Sequence, residues 1–194
     1  GRKIDVDVRT VWVDQVTPDS ALSALVARAV RTTDSLANRV ITDIALPLPR
    51  TGNQYPLGNL IADAFRNVLR TDVALVNNGG VRADVAAGRL TYGQLFTVMP
   101  FQNQAVTVTL TGKQLREVAE ASITAGGPDA HVSGMRITYD LSRPAGQRVR
   151  EIRLANGKKP KDTGRYTLAV NSFLAAGQSG YTMLRTAPQV PDGM

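Results

Sequence analysis

Val73-Ala74-Leu75-Val76-Asn77-Asn78-Gly79-Gly80-Val81-Arg82 is the stretch on which the reading of the fold turns. Four consecutive apolar residues, two of them β-branched, form a run too short for a helix. It suits a strand buried on both faces. The run stops abruptly at two Asn and two Gly, and an Arg follows two residues later. Glycines without Cβ let the backbone approach a ligand closely. Asn side chains supply a donor and an acceptor, and a guanidinium binds phosphate or carboxylate through two parallel hydrogen bonds. The Gly-Lys-Ser/Thr ending of a nucleotide-binding P-loop is missing. A plain turn followed by a surface Arg accounts for the same residues, so this motif alone does not establish a site.

Working outward, helix and strand signals interleave. Before the run, Leu60, Ile61, Ala64, Phe65, Val68 and Leu69 make a helical stripe opened by Gly58-Asn59, which predicts that Phe65 is a core residue. Further upstream, Val40 to Leu46 reads as a short strand. Ala21, Leu22, Leu25, Val26 and Ala29 read as one helix face, with Thr17 as cap and Pro18 in the first turn. Ile4 to Trp12 mostly alternates apolar with polar, the period of a half-buried strand. After the run, Thr91-Tyr92-Gly93-Gln94 and Thr111-Gly112-Lys113-Gln114 have capping-box spacing. Between them, Val106, Val108 and Leu110 alternate with Thr107 and Thr109. The last third reads as strands around Met135–Tyr139, Val149–Leu154 and Tyr166–Val170, with a turn at Asn156-Gly157. There is no internal repeat. Strands and helices alternate without a strict βαβ rhythm, which predicts an α+β fold, a mixed sheet layered with helices.

Composition narrows the chemistry. The 194 residues include 23 Lys and Arg against 16 Asp and Glu, a net charge of +7, with one His and no Cys. That size fits one compact unit with an appendage. The absence of Cys excludes a disulfide scaffold, a thiolate zinc site and a cysteine nucleophile. A single His excludes any constellation needing two imidazoles. No stretch approaches the ~20 apolar residues of a membrane helix. The basic residues are scattered, and the densest run, Lys158-Lys159-Pro160-Lys161, is short enough to be a solvated turn. Aromatics do not interleave with it, which argues against nucleic-acid binding. Gly177-Gln178-Ser179-Gly180-Tyr181 nearly spells a nucleophile elbow but ends in Tyr and lacks the strand-turn-helix setting. The Asp residues show no metal-ligand spacing. Chain position 1 is Gly, with no basic-then-apolar leader after it, as expected of a processed chain or an excised piece.

Two Phe stand in turn-rich surroundings in a chain that is only 5% aromatic: Phe101 in Pro100-Phe101-Gln102-Asn103, and Phe173 in Asn171-Ser172-Phe173-Leu174-Ala175. A ring held in a loop plugs the loop into the core or stacks on a planar ligand. The second use is worth about 1–3 kcal/mol per base.

The ordered set Leu57-Gly58-Asn59-Leu60-Ile61-Ala62-Asp63-Ala64, Asn77-Asn78-Gly79-Gly80-Val81-Arg82, Leu90-Thr91-Tyr92-Gly93, Pro100-Phe101, Leu110-Thr111-Gly112, Val132-Ser133-Gly134 and Asn171-Ser172-Phe173-Leu174-Ala175 resembles the C-terminal domain of the 5′-nucleotidase and UDP-sugar hydrolase family. The resemblance covers about residues 40–186. It implies that residues 1–39 are the end of an upstream metallophosphatase domain plus a linker helix, and that 40–194 is the substrate-binding domain. It also implies that the missing domain holds two divalent metal ions and performs the hydrolysis through a metal-bound water, that this chain holds no cofactor, and that alone it is inactive. The partners implied are a nucleotide or nucleoside-like substrate and the catalytic domain in cis, in an exported protein. In the family two Phe sandwich the base, matching Phe101 and Phe173. Asn77 and Arg82 match substrate contacts, and Arg50 is the nearest match to a further Arg whose spacing differs. Ser179 stands where the family has an Asp that accepts the ribose hydroxyls, a weaker acceptor than a carboxylate. The alternative is a stand-alone module that binds a nucleoside, sugar or anion without catalysis.

Overall fold

The computed structural model describes residue 4 and residues 6–191. In chain order the elements are α1 (Ser20–Ala37), β1 (Val40–Ile44), α2 (Pro56–Leu69), β2 (Val73–Asn77), β3 (Gly88–Thr91), α3 (Tyr92–Val98), β4 (Ala105–Thr111) and α4 (Gly112–Ala121). There follow β5 (Ile123–Thr124), β6 (Gly127–Pro128), β7 (Ala130–Ser133), β8 (Met135–Tyr139), β9 (Val149–Leu154), β10 (Arg165–Asn171), α5 (Ser172–Ala175) and β11 (Gln189–Pro191). A five-stranded mixed sheet in the order β11-β4-β10-β2-β7 is the centre of the molecule, and β1–β3, β5–β6 and β8–β9 form two-stranded satellites. The predicted α+β class is the observed one.

The apolar run of β2 is explained by what lies on each side of it. Val73 and Leu75 enter a core built with Val106, Val108 and Leu110 of β4, Leu168 and Val170 of β10, and Leu115 and Val118 of α4. Val76 enters a second core with Tyr55, Leu57, Ala62, Val81 and Val98. Because side chains alternate across a strand, two cores on opposite faces require apolar residues at every position. β4 keeps a strict alternation instead, with its Val and Leu buried and its Thr half-buried. Both capping boxes form: the Thr91 and Thr111 side chains accept from Gln94 N and Gln114 N, and each Gln returns a bond to the cap.

Two faces differ from the sequence expectation. In α2 the residues turned into the protein are Leu57, Gly58 and Ala62, whereas Leu60 and Val68 are more than half exposed and Phe65 is only partly buried. The small residues win because they let the helix lie close to the sheet: a Cβ at Gly58 would overlap the imidazole of His131 on β7. In α1 the cap is Asp19, whose Oδ1 accepts from Leu22 N at 2.9 Å, and not Thr17. Its apolar face is uncovered, with Leu22 and Leu25 each 63% exposed. Periodicity marks which face is apolar, not what covers it. Likewise Ile4 and Val6–Trp12 form no strand and their apolar side chains stay exposed, and Asp5 lies outside the described residues. β1 ends at Ile44, short of the predicted Leu46.

His131 is fully buried. Its Nδ1 lies 3.0 Å from Asn59 Oδ1, which accepts only if Nδ1 carries the proton, and its ring meets Tyr55 edge-on. Its Nε2 has no partner, so burial disfavours the imidazolium and holds the pKa down at about 4. The unfolded chain binds the proton near the ordinary value of about 6.5. Between these values the unfolded state carries more protons, so this contribution is present above pH 6.5 and is lost as pH falls towards 4, up to about 3 kcal/mol in all. Urea melts from pH 7.5 to 4.5 are expected to show stability falling with pH, and the slope is expected to flatten in His131→Gln.

Candidate functional site

The one parallel pairing among the described strands of the main sheet, β2 with β10, places the C-terminal ends of both strands side by side, the end of a sheet where ligand crevices form. Both strands end in Asn. Asn77 and Asn171 are buried, and Asn171 Nδ2 donates to Asn77 Oδ1 at 3.2 Å. Asn171 also caps α5: its Oδ1 accepts from Leu174 N at 2.9 Å. One amide thus uses its acceptor on a helix start and its donor on the neighbouring strand.

β10 pairs β4 antiparallel through seven residues, ending at Asn171 opposite Ala105. Two residues further on each strand line, Phe173 and Asn103 are brought together. The segments are stitched by Ser172 N donating to Gln104 O at 2.8 Å and by Gln104 N donating to Ser172 Oγ at 3.1 Å. Phe101 follows from the same register. Phe101 is 46% exposed and Phe173 42%, and both line one cavity of about 270 Å³. Its other walls are Asn77, Gly79, Gly80, Asn103, Asn171 and Ser179. Among the described residues the aromatic pair in contact is Tyr55 with His131, so the two Phe rings line the cavity without stacking on each other. Gly80 lies close to Asn77: a Cβ there would stand 3.0 Å from Asn77 Oδ1, so the amide would have to shift to admit a side chain.

Ser179 sits on the cavity wall in the loop after α5. Its φ of +52° lies in the left-handed region, between Gly177 at +83° and Gly180 at +85°. Asn and Asp tolerate that region better than other non-Gly residues, so this backbone accepts a carboxylate at 179. The loop is held by Tyr181, which is buried. Burial, and then the Asp129 carboxylate, push its phenol pKa above the ordinary value.

Of the six sequence candidates, Asn77, Phe101, Phe173 and Ser179 share the cavity. Arg82 does not line it. Arg82 is exposed at the rim, where Nη1 donates to Gly79 O at 3.4 Å. Arg50 is also exposed, and its backbone N donates to Asp84 Oδ1 at 2.8 Å, beyond the Arg82 turn. Asn103 and Asn171 belong to the cavity without having been singled out as site residues. The signal for Asn171 is a polar residue closing an otherwise apolar strand, as Asn77 closes β2. A larger groove of about 460 Å³, walled by Leu60, Ile61, Phe65, Leu95 and Phe96 among others, is almost wholly apolar and lacks the convergent polar groups that orient a ligand. No group of three or more His, Asp or Glu side chains among the described residues is placed to hold a metal ion.

Residues 40–186 match the model of the 5′-nucleotidase C-terminal domain. The chain is 34% identical over 171 residues to endonuclease YhcR of Bacillus subtilis, covering 85% of this chain and 14% of that protein. It is 34% identical over 168 residues to the trifunctional nucleotide phosphoesterase YfkN of the same organism, covering 78% and 11%. Among solved structures, the 5′-nucleotidase precursor of Thermus thermophilus superposes with a TM-score of 0.79 at 32% identity, over 90% of this chain and 38% of that one. The chain therefore spans well under half the length of the proteins it matches.

Asn171→Ala removes both the α5 cap and the bond to Asn77. A cap is worth about 1 kcal/mol and an orphaned buried acceptor costs about 1–3 kcal/mol. The expected loss is about 2–3 kcal/mol in urea unfolding, with Asn171→Asp milder because the carboxylate still caps.

Proposed function

The chain belongs to the 5′-nucleotidase C-terminal domain family, and from that premise we propose that it is the substrate-binding part of an exported metallophosphoesterase acting on nucleotide phosphate esters. The observation that carries the reading is the pair of half-exposed rings, Phe101 and Phe173, lining one cavity with Asn77 and Ser179. An exposed ring is ordinarily a liability, and two facing one open space form a stacking slot for a planar base. The cavity's 270 Å³ suits a base more than a whole nucleotide, so the sugar and phosphate would extend out past the rim towards Arg82.

In this reading each residue has a bounded task. The rings supply affinity with little regard to base identity. Asn77 uses its acceptor on Asn171, so its NH₂ group is the part offered to a ligand. Ser179 offers one hydroxyl where the family has a carboxylate, which weakens the grip on ribose. The Arg82 guanidinium steers the anionic end. In this reading the two divalent ions and the bond-breaking step belong to the catalytic domain that the family implies, and this chain contributes binding alone. We place residues 1–39 as the junction to that domain and 40–194 as the binding unit. That the matching relatives carry this segment within much longer chains supports the division.

Three expected outcomes test the reading. Titration calorimetry with adenosine should show Phe101→Ala and Phe173→Ala each binding about ten- to a hundredfold more weakly, the equivalent of about 1–3 kcal/mol. In the same assay the unaltered chain should hardly separate adenosine from 2′-deoxyadenosine, and Ser179→Asp should favour the ribose form. Unchanged affinity in both Phe variants contradicts the stacking slot. Incubated alone with Mn²⁺ and a nucleoside monophosphate, the chain is expected to release no phosphate above buffer.

A further inference from the structure

At the other end of the sheet lies a second cavity, about 460 Å³, that the reading above does not use. β7 runs antiparallel to β2, with Ala130 opposite Asn77 and Ser133 opposite Ala74. The Phe cleft opens from the Asn77 end, and the second cavity opens from Ser133 and Gly134. The length of β2 separates them, about 13 Å at ~3.3 Å per residue.

Three arginines line it, Arg66 on α2, Arg136 on β8 and Arg153 on β9. Arg136 and Arg153 are direct cross-strand partners in the β8–β9 ladder. Like charges placed opposite one another oppose pairing, so the hairpin is built at a local electrostatic cost. Arg66 is oriented: its Nε donates to Asp72 O at 3.0 Å, and its stem runs beside Gly134, where a Cβ would come within 2.6 Å of Nε. Gly134 has φ +75°, a backbone that also favours glycine. Arg153 is oriented too, with Nε and Nη2 on Glu151 at 2.8 and 3.1 Å and Nη1 on Gly157 O at 3.2 Å. The Arg136 side chain makes no hydrogen bond among the described residues. Opposing charge is limited. Asp63 accepts from Ser133 Oγ at 2.5 Å, and Glu151 is shared between Arg153 and Lys159. Three Arg and one carboxylate, Asp63, therefore line the cavity, with the Glu151–Lys159 pair outside its wall.

We propose that this cavity is a binding site for a phosphate group, either free or carried as a small monoester. A tetrahedral dianion between Arg136 and Arg153 relieves their repulsion; the Arg136 fork matches two of its oxygens, and the Nη hydrogens that Arg66 and Arg153 do not spend on the protein donate to the others. The cavity exceeds what a bare phosphate fills, so a short organic substituent fits with it. Asp63 on the wall, with its Oδ1 held by the Ser133 hydroxyl, supplies an acceptor for such a substituent. This inference stands apart from the reading of the Phe cleft, since no residue is shared between the two cavities.

The test is an NMR titration of the ¹⁵N-labelled chain with inorganic phosphate, and separately with glycerol 3-phosphate, at constant ionic strength against a chloride reference. Saturable shifts are expected at the Gly134 and Gly157 amides and at the Arg66 and Arg153 side-chain Nε–H. Binding is expected to weaken at least tenfold in Arg136→Gln and to be unchanged in Phe101→Ala. Tighter binding of the ester assigns the site to esters, and equal or tighter binding of free phosphate assigns it to the ion. Arg136 is exposed, so the fold is expected to persist in Arg136→Gln, checked by its remaining amide spectrum. Arg136→Lys, which keeps the charge and loses the fork, should fall between. Shifts that do not saturate, that match the chloride reference, that are undiminished in Arg136→Gln, or that fall only on Gly79 and Gly80 overturn the proposal.

Discussion

The site depends on the register of β10. That strand pairs β2 in parallel on one side and β4 antiparallel on the other, so it fixes two strand ends at once. On the β2 side it sets Asn171 beside Asn77, where a buried amide–amide hydrogen bond joins them. On the β4 side it sets Ser172 against Gln104 and carries the Phe101 and Phe173 segments to the same opening. A slip of one residue would turn Leu168 and Val170 out of their core and expose the buried Asn pair, so hydrophobic burial on one face and polar satisfaction at the end select the same pairing. Loops anchored in this way present both rings half-exposed at one cavity.

Much of this arrangement was readable before the structure, for reasons that can be named. Val73–Val76 announced a doubly covered strand because two cores demand apolar residues at successive positions, and the two capping boxes announced α3 and α4 because their bonds are local. Phe101 and Phe173 were conspicuous because rings are scarce in the chain and these two fell at turns. Residues whose placement depends on distant register were harder to assign. Arg82 and Arg50 sit near the cavity in sequence logic, but neither side chain forms its wall. The burial of His131 was invisible because it rests on Gly58 lying on the facing helix. The large apolar residues of α1 and α2 show a related limit. Leu22, Leu25, Leu60 and Val68 follow helical periodicity faithfully and are exposed, since periodicity encodes an apolar face and not its covering partner.

The two ends of the sheet have contrasting chemistry. The Asn77 end is neutral, with amides, a hydroxyl and two rings, which suits recognition by stacking and single hydrogen bonds. The Ser133 end is cationic. Between them the sheet interior is apolar and closely packed, so each end is positioned by the same strands. Ser179 belongs to the first end and carries its main peculiarity, a left-handed backbone suited to an Asp but occupied by a smaller, neutral acceptor.

The central claim, that a planar base lies between Phe101 and Phe173, is tested most directly by intermolecular NOEs in a complex of the labelled chain with adenosine. The account predicts contacts from the purine H2 and H8 protons to the ring protons of both Phe residues in one complex. Contacts to Leu60, Leu95 and Phe96 of the apolar groove instead, with none to either Phe101 or Phe173, would contradict it.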